Sequence, residues 1–181
     1  NDDIAYRNID KVLGDGSYQF PLTEAERNVL RNATTSGKSR TVVFYVKTTI
    51  GSQTHYSKIN KTFTVVNADP RINPVITNTT TSTVNLTGST SKFIRYYSDA
   101  SVSVGVSAAK GASINSHITT SGSQYFTSAT GTFTGVENDE ITISATDSRG
   151  YTTVKTVALD IVPYVKLTCN LSNNRPDTAG N

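Results

Sequence analysis

Cysteine is almost absent: Cys169 stands alone among 181 residues, so no internal disulfide framework can be drawn and the lone thiol reads as a small buried hydrophobe. Methionine and tryptophan are missing altogether, and aromatics make up only 8% of the chain. Without tryptophan the strongest stacking platform for a sugar ring is lacking. No apolar run approaches the ~18 residues of a membrane-spanning helix, which argues against helical membrane insertion. The chain opens Asn1-Asp2-Asp3, without an initiating methionine and without a charged segment leading into an apolar one. It therefore reads as an excised piece or processed product, with no signal peptide to interpret.

The residues that carry chemistry are equally sparse. His55 and His117 are the only histidines, and neither has a second His, a Cys or a carboxylate pair at ligand spacing. No G-x-S-x-G elbow occurs, and with 20 serines a Ser-His-Asp triad can be drawn so many ways that it carries no information. Glu137, Asp139 and Glu140 cluster, but around an Asn138-Asp139 turn, where a solvated loop is expected rather than an acid and base facing one cleft. Asn67, Asp69, Glu137, Asp139 and Asp147 are oxygen donors near one end of a module, yet no calcium-loop spacing links them. The expectation is no enzyme, no catalytic residue, no cofactor and no metal site. Five Asn-x-Ser/Thr sequons, at Asn32, Asn60, Asn78, Asn85 and Asn170, are about what chance gives with 15 Asn, and they carry no glycosylation argument.

What the chain has instead is threonine and serine, 29 and 20 of them, a composition suited to pleated sheets with one wet face. The net charge of +3 resides in the first 67 residues, where nine Lys/Arg face six Asp/Glu; residues 68–181 hold eight of each. Lys38, Arg40, Lys47, Lys58 and Lys61 are spread along apparent strands without forming a basic run, so they read as a solubilising face and no nucleic-acid partner is expected.

One helix is expected, over residues 23–35. Thr23 and Glu26 have capping-box spacing, Leu22, Ala25, Val29 and Ala33 repeat at three- and four-residue intervals with Leu30 beside them, and Gly37 lies just beyond. A hairpin follows. Val42, Phe44 and Val46 alternate on one strand, Gly51-Ser52-Gln53 supplies the turn, and Ile59, Phe63 and Val65 fall on one side of the return strand. Asn67-Ala68-Asp69-Pro70-Arg71-Ile72-Asn73-Pro74 reads as a linker and a domain boundary, because two prolines in five residues withdraw donors from any ladder.

Beyond the linker, short strands alternate with turns. Candidates are Val75–Thr77, Thr83–Thr87, Phe93–Tyr97, Ser101–Ser107, Gln124–Phe133, Glu140–Thr146 and Thr152–Val162, with Asp147–Gly150 turning the last hairpin. That density predicts a β-sandwich, with immunoglobulin-like Greek-key topology as the default. Arg95-Tyr96-Tyr97 and Tyr125-Phe126 read chiefly as packing residues of these strands. A weak echo joins the two halves: Lys61-Thr62-Phe63-Thr64-Val65 and Lys155-Thr156-Val157-Ala158-Leu159 are offset by 94 residues, each led in by a turn and a tyrosine (Tyr56, Tyr151). The fold expected is thus mainly β, of tandem immunoglobulin-like sandwich modules with one short helix in the N-terminal module. Residues 1–67 form that module, either a smaller unit or one lacking its opening strands; 68–163 form a sandwich; 164–181 open a truncated third module or tail.

Several phrases are familiar as phrases: Leu22 through Thr34, Lys61 through Pro70, Ala145 through Thr153, and Val162-Pro163-Tyr164-Val165-Lys166-Leu167-Thr168-Cys169 running on to Asp177. Together they resemble a family of minor structural proteins of siphophages and prophages of Gram-positive bacteria, over nearly the whole chain. The resemblance implies a virion tail or baseplate component, part of a longer polypeptide, located in the virion and extracellular when released. Its partners would be other tail proteins. It carries no catalytic or binding residues to transfer. A host-surface module touching cell-wall polysaccharide, or a bacterial surface adhesin repeat, are the alternatives.

Overall fold

The computed structural model describes residues 19–66 and 68–164. The expected third module lies outside them apart from Tyr164, as do Asn67, Cys169 and Asn170. Along the chain run α1 (Glu24–Ala33), β1 (Ser39–Ile50), β2 (Gln53–Thr64), β3 (Arg71–Asn78), α2 (Thr81–Thr87), β4 (Lys92–Ile94), β5 (Ala100–Ser107), β6 (Ile114–Ser121), β7 (Gln124–Phe126), β8 (Thr130–Phe133), β9 (Glu140–Asp147), β10 (Thr152–Ala158) and β11 (Asp160–Val162). The fold is mainly β, as the alternation predicts.

Helix α1 begins where the capping box places it. Thr23 accepts from the Glu26 amide at 3.3 Å, and the Glu26 carboxylate accepts from the Thr23 amide at 2.8 Å. Its inward stripe differs from the one expected. Ala25, Val29 and Ala33 are exposed, whereas Leu22, Glu26, Leu30 and Thr34 turn inward at four-residue steps. Leu30 is the buried anchor, and the Thr34 hydroxyl donates to its carbonyl at 2.8 Å.

Strands β3 to β11 build a β-sandwich. One sheet has the order β10-β9-β6-β7 and the other β3-β5-β8, with β11 and β4 forming a short parallel pair. Side chains from both sheets meet in one core of Ile72, Phe93, Ala100, Val102, Val104, Phe133, Val136, Ile141, Ile143 and Ala145. Alternation along β5 and β9 sends these residues inward and leaves serine and threonine outside. Each fully buried Ile or Val contributes about 1.5–3 kcal/mol relative to exposure, so this cluster is the main source of stability.

Four expectations are corrected here. Arg71–Pro74, expected as linker, opens β3, where Ile72 is buried in the core and Pro74 is tolerated because β3 is an edge strand. Thr152–Val162, expected as one strand, divides into β10, paired with β9, and β11, paired with β4. Thr83–Thr87 is not a strand but lies in helix α2, which ends at Gly88 in the left-handed region (φ 66°). A buried polar knot decides the matter. The Asn78 amide donates to Thr83 Oγ1 (2.9 Å), to the Lys92 carbonyl (2.8 Å) and to Ser98 Oγ (3.1 Å), and Thr83 can reach this knot only from a helical turn. Gln124–Phe133 is likewise two strands, β7 and β8, which belong to different sheets.

Candidate functional site

Two places stand out: a buried joint between α1 and the sandwich, and the exposed ribbon formed by β1 and β2.

The joint is centred on Arg149, in the turn between β9 and β10. The Asp147 carboxylate shapes this turn, its Oδ1 accepting from the backbone amides of Arg149 (2.9 Å) and Tyr151 (2.8 Å), while Oδ2 is buried without a hydrogen bond. The turn aims the Arg149 guanidinium at α1. Only 3% of Arg149 is exposed, and its nitrogens donate to four carbonyls: Arg31 (2.8 Å), Ala109 (2.8 Å), Thr34 and Lys110. Among the described residues no carboxylate forms an ion pair with it. The carbonyls of Arg31 and Thr34 lie at the C-terminus of α1, where the helix presents partial negative charge, so the cation is satisfied by dipoles rather than by an anion.

Further contacts close the joint. Tyr151 donates its hydroxyl to the Val65 carbonyl and carries the Lys38 ammonium 4.6 Å above its ring. Thr153 Oγ1 donates to the Pro70 carbonyl at 2.7 Å. Gly111 has φ +79°, and a Cβ there would stand 2.7 Å from Asn32 Cα, so only glycine permits this approach. Val65 and Ala68 of the connecting segment are buried, at 1% and 0% exposure, while Val66 and Asp69 face outward.

The ribbon is the opposite case. β1 and β2 pair over twelve positions, from Ser39↔Thr64 to Ile50↔Gln53, about 40 Å of strand. Phe44 packs edge-on to Phe20 at 5.6 Å, and Val42 and Phe63 are half-buried at the base. Residues 45–62 are all exposed. Lys47, Lys58 and Lys61 lie on the exposed part of the ribbon, Lys61 on the face of Val42 and the other two on the face of Tyr45, whereas Lys38 sits over Tyr151 and Arg40 donates to the Ala33 carbonyl. No Asp or Glu lies between Glu26 and Asp69, so the ribbon is basic without a single basic patch.

The carboxylates weighed for calcium are not brought together. Asp147 is committed to its turn, Asp139 pairs with Arg95, and Asp69 and Glu137 are exposed. Among the described residues no three His, Cys, Asp or Glu side chains gather. His55 lies near the ribbon tip; His117 is half-buried on β6. A groove of about 360 Å³ runs between Arg95, Tyr96, Asp139 and Ile161–Tyr164, but its two charged groups neutralise one another. Tyr96, Tyr97 and Tyr125, expected to pack, are exposed; of that set only Phe126 leans on the core, 5.2 Å from Phe133. The one clear perturbation of a carboxyl is at Glu24, held below its usual range by hydrogen bonds from Arg31 and Arg27.

No family model matches the chain, and no characterised protein or solved structure is significantly similar to it.

Proposed function

We propose that this chain is a non-enzymatic structural module of a phage or prophage tail, a spacer and assembly element in a string of immunoglobulin-like sandwiches. The joint carries the reading. A buried arginine satisfied by four carbonyls, beside a connection anchored at the buried Val65 and Ala68, is what a stiff spacer needs between successive units. The sheet orders β10-β9-β6-β7 and β3-β5-β8 fit the two layers of an immunoglobulin-like Greek key. Threonine ladders on the outer face, such as Thr142 with Thr156 at 3.2 Å, suit a module exposed to solvent without disulfides.

The test is mass spectrometry of purified particles induced from cells encoding the chain. Its peptides should co-purify with tails, and their absence from intact particles would sink the proposal. The exposed Tyr96, Tyr97, Tyr125 and Tyr164 support a second reading, contact with cell-wall polysaccharide. Saturable binding of the chain to purified wall glycan would favour it; no retention would leave the spacer role alone.

A further inference from the structure

The echo in the second strands lets the two hairpins be aligned. In β9–β10, Lys155 pairs with Ile143 and Val157 with Ile141; in β1–β2, Lys61 pairs with Val42 and Phe63 with Arg40. Residues 94 apart in the second strand therefore oppose residues 101 apart in the first. On this correspondence Val42 matches Ile143, Phe44 matches Ala145, and the ribbon face bearing Val42, Phe44, Val46, Ile59 and Phe63 matches the face that β9 turns into the core. Ile141, Ile143 and Ala145 are fully buried against β3, β5 and β8. On the ribbon the same face, which also carries Arg40 and Lys61, is half-buried at Val42, Phe44 and Phe63 and open beyond them, with Val46 52% and Ile59 50% exposed.

We infer that the β1–β2 ribbon is one half of a second sandwich, and that its occupant is a polypeptide β-layer with apolar inward side chains and acidic flanks. This rests on the tandem-sandwich reading above. Three observations select that chemistry. The exposed aliphatic row calls for an apolar layer, as it has on β9, and offers nothing to a nucleic acid. The ribbon pairs only within itself, so its outer strand edges are open to strand addition. Its charge is of one sign: Lys47, Lys58 and Lys61 lie within residues 41–62 with no acid, which opposes a second basic ribbon and favours acidic flanks.

The test uses the whole chain and a synthetic peptide of alternating Val and Glu, read by amide hydrogen exchange. The peptide should slow exchange at least tenfold within residues 39–64, saturably, leaving β9 and β10 unchanged. Raising salt from 50 to 500 mM should weaken the effect severalfold. Ile59→Asp should abolish it and Lys61→Glu should weaken it about tenfold, with the exchange pattern of the sandwich serving as the check on folding in both. An equal response to a Val-Lys peptide, no response at all, or stronger protection by a single-stranded oligonucleotide would overturn the inference. So would ribbon amides already protected in the free chain, whether by dimers seen in light scattering or by a monomer that loses protection when residues 1–18 are deleted. Presence in particles without a peptide response sinks this inference alone; a peptide response without presence in particles sinks the tail assignment alone.

Discussion

The chain contains two antiparallel hairpins with a faint sequence echo between them, and they have opposite fates. β9–β10 sits beneath a second sheet, and its inward residues form the centre of the core. β1–β2 packs against Phe20 at its base, and its residues 45–62 are exposed on both faces. Alternation in a sequence therefore reports that a face is built to be covered, not that the cover lies within the same unit. An isolated two-stranded ribbon is marginal in water, so this one depends on its base and on what it meets.

Paired truncations should show the contrast most strongly. Ile143→Ala removes a fully buried side chain and should cost about 3–4 kcal/mol, whereas the equivalent Val42→Ala should cost about 1 kcal/mol or less. Denaturant unfolding of both variants measures this, and equal costs would end the comparison. Next, Arg149→Leu strands four carbonyls that the guanidinium satisfied and should cost on the order of 3 kcal/mol. Because those carbonyls tie α1 to the sandwich, proteolysis between residues 31 and 38 should speed up before the sandwich unfolds. An unchanged cleavage rate would show that the joint holds without the cation. Asn78→Ala should cost about 2 kcal/mol by opening the knot under α2. Lys155→Ala and Lys61→Ala should then differ only modestly, since Lys155 donates to the Ile72 carbonyl at 3.2 Å across the sandwich whereas Lys61 is exposed.

The smallest effect concerns pH. Glu24 has a folded pKa below its unfolded value, so its contribution is complete above the unfolded carboxyl range and fades as pH falls through the folded one. Fraying of α1 on acidification, followed by circular dichroism, should lose that component in Glu24→Gln. The carboxylate is fully exposed, so the change should be slight and disappear in high salt.

Sequence reading reached the elements whose signal is apolar and periodic. The hairpins, β5, β9 and the capped start of α1 are visible as alternation or as a Thr-x-x-Glu box. Elements whose inward residues are polar escaped it. β6 was not expected at all, because its buried positions are Thr119 and Ser121 rather than aliphatics. α2 read as a strand because Val84 and Leu86 alternate, yet Leu86 is among the most exposed apolar residues and Thr83 is the buried one. The α1 stripe was misplaced for the same reason, since Glu26 and Thr34 lie on its inward side. The joint was harder still. Asp147–Gly150 was legible as a turn, but its partners at Arg31 and Thr34 are 118 and 115 positions away along the chain. A charged residue inside a tight turn, flanked by a carboxylate and a glycine, was the only hint.

The two buried anchors of the connection, Val65 and Pro70, have a mechanical consequence. A solvated proline linker swivels and dissipates any twist applied to it. Here the backbone is gripped on both sides, by Tyr151 at Val65 and by Thr153 at Pro70. Rotation imposed on α1 and the ribbon would reach the sandwich as torque.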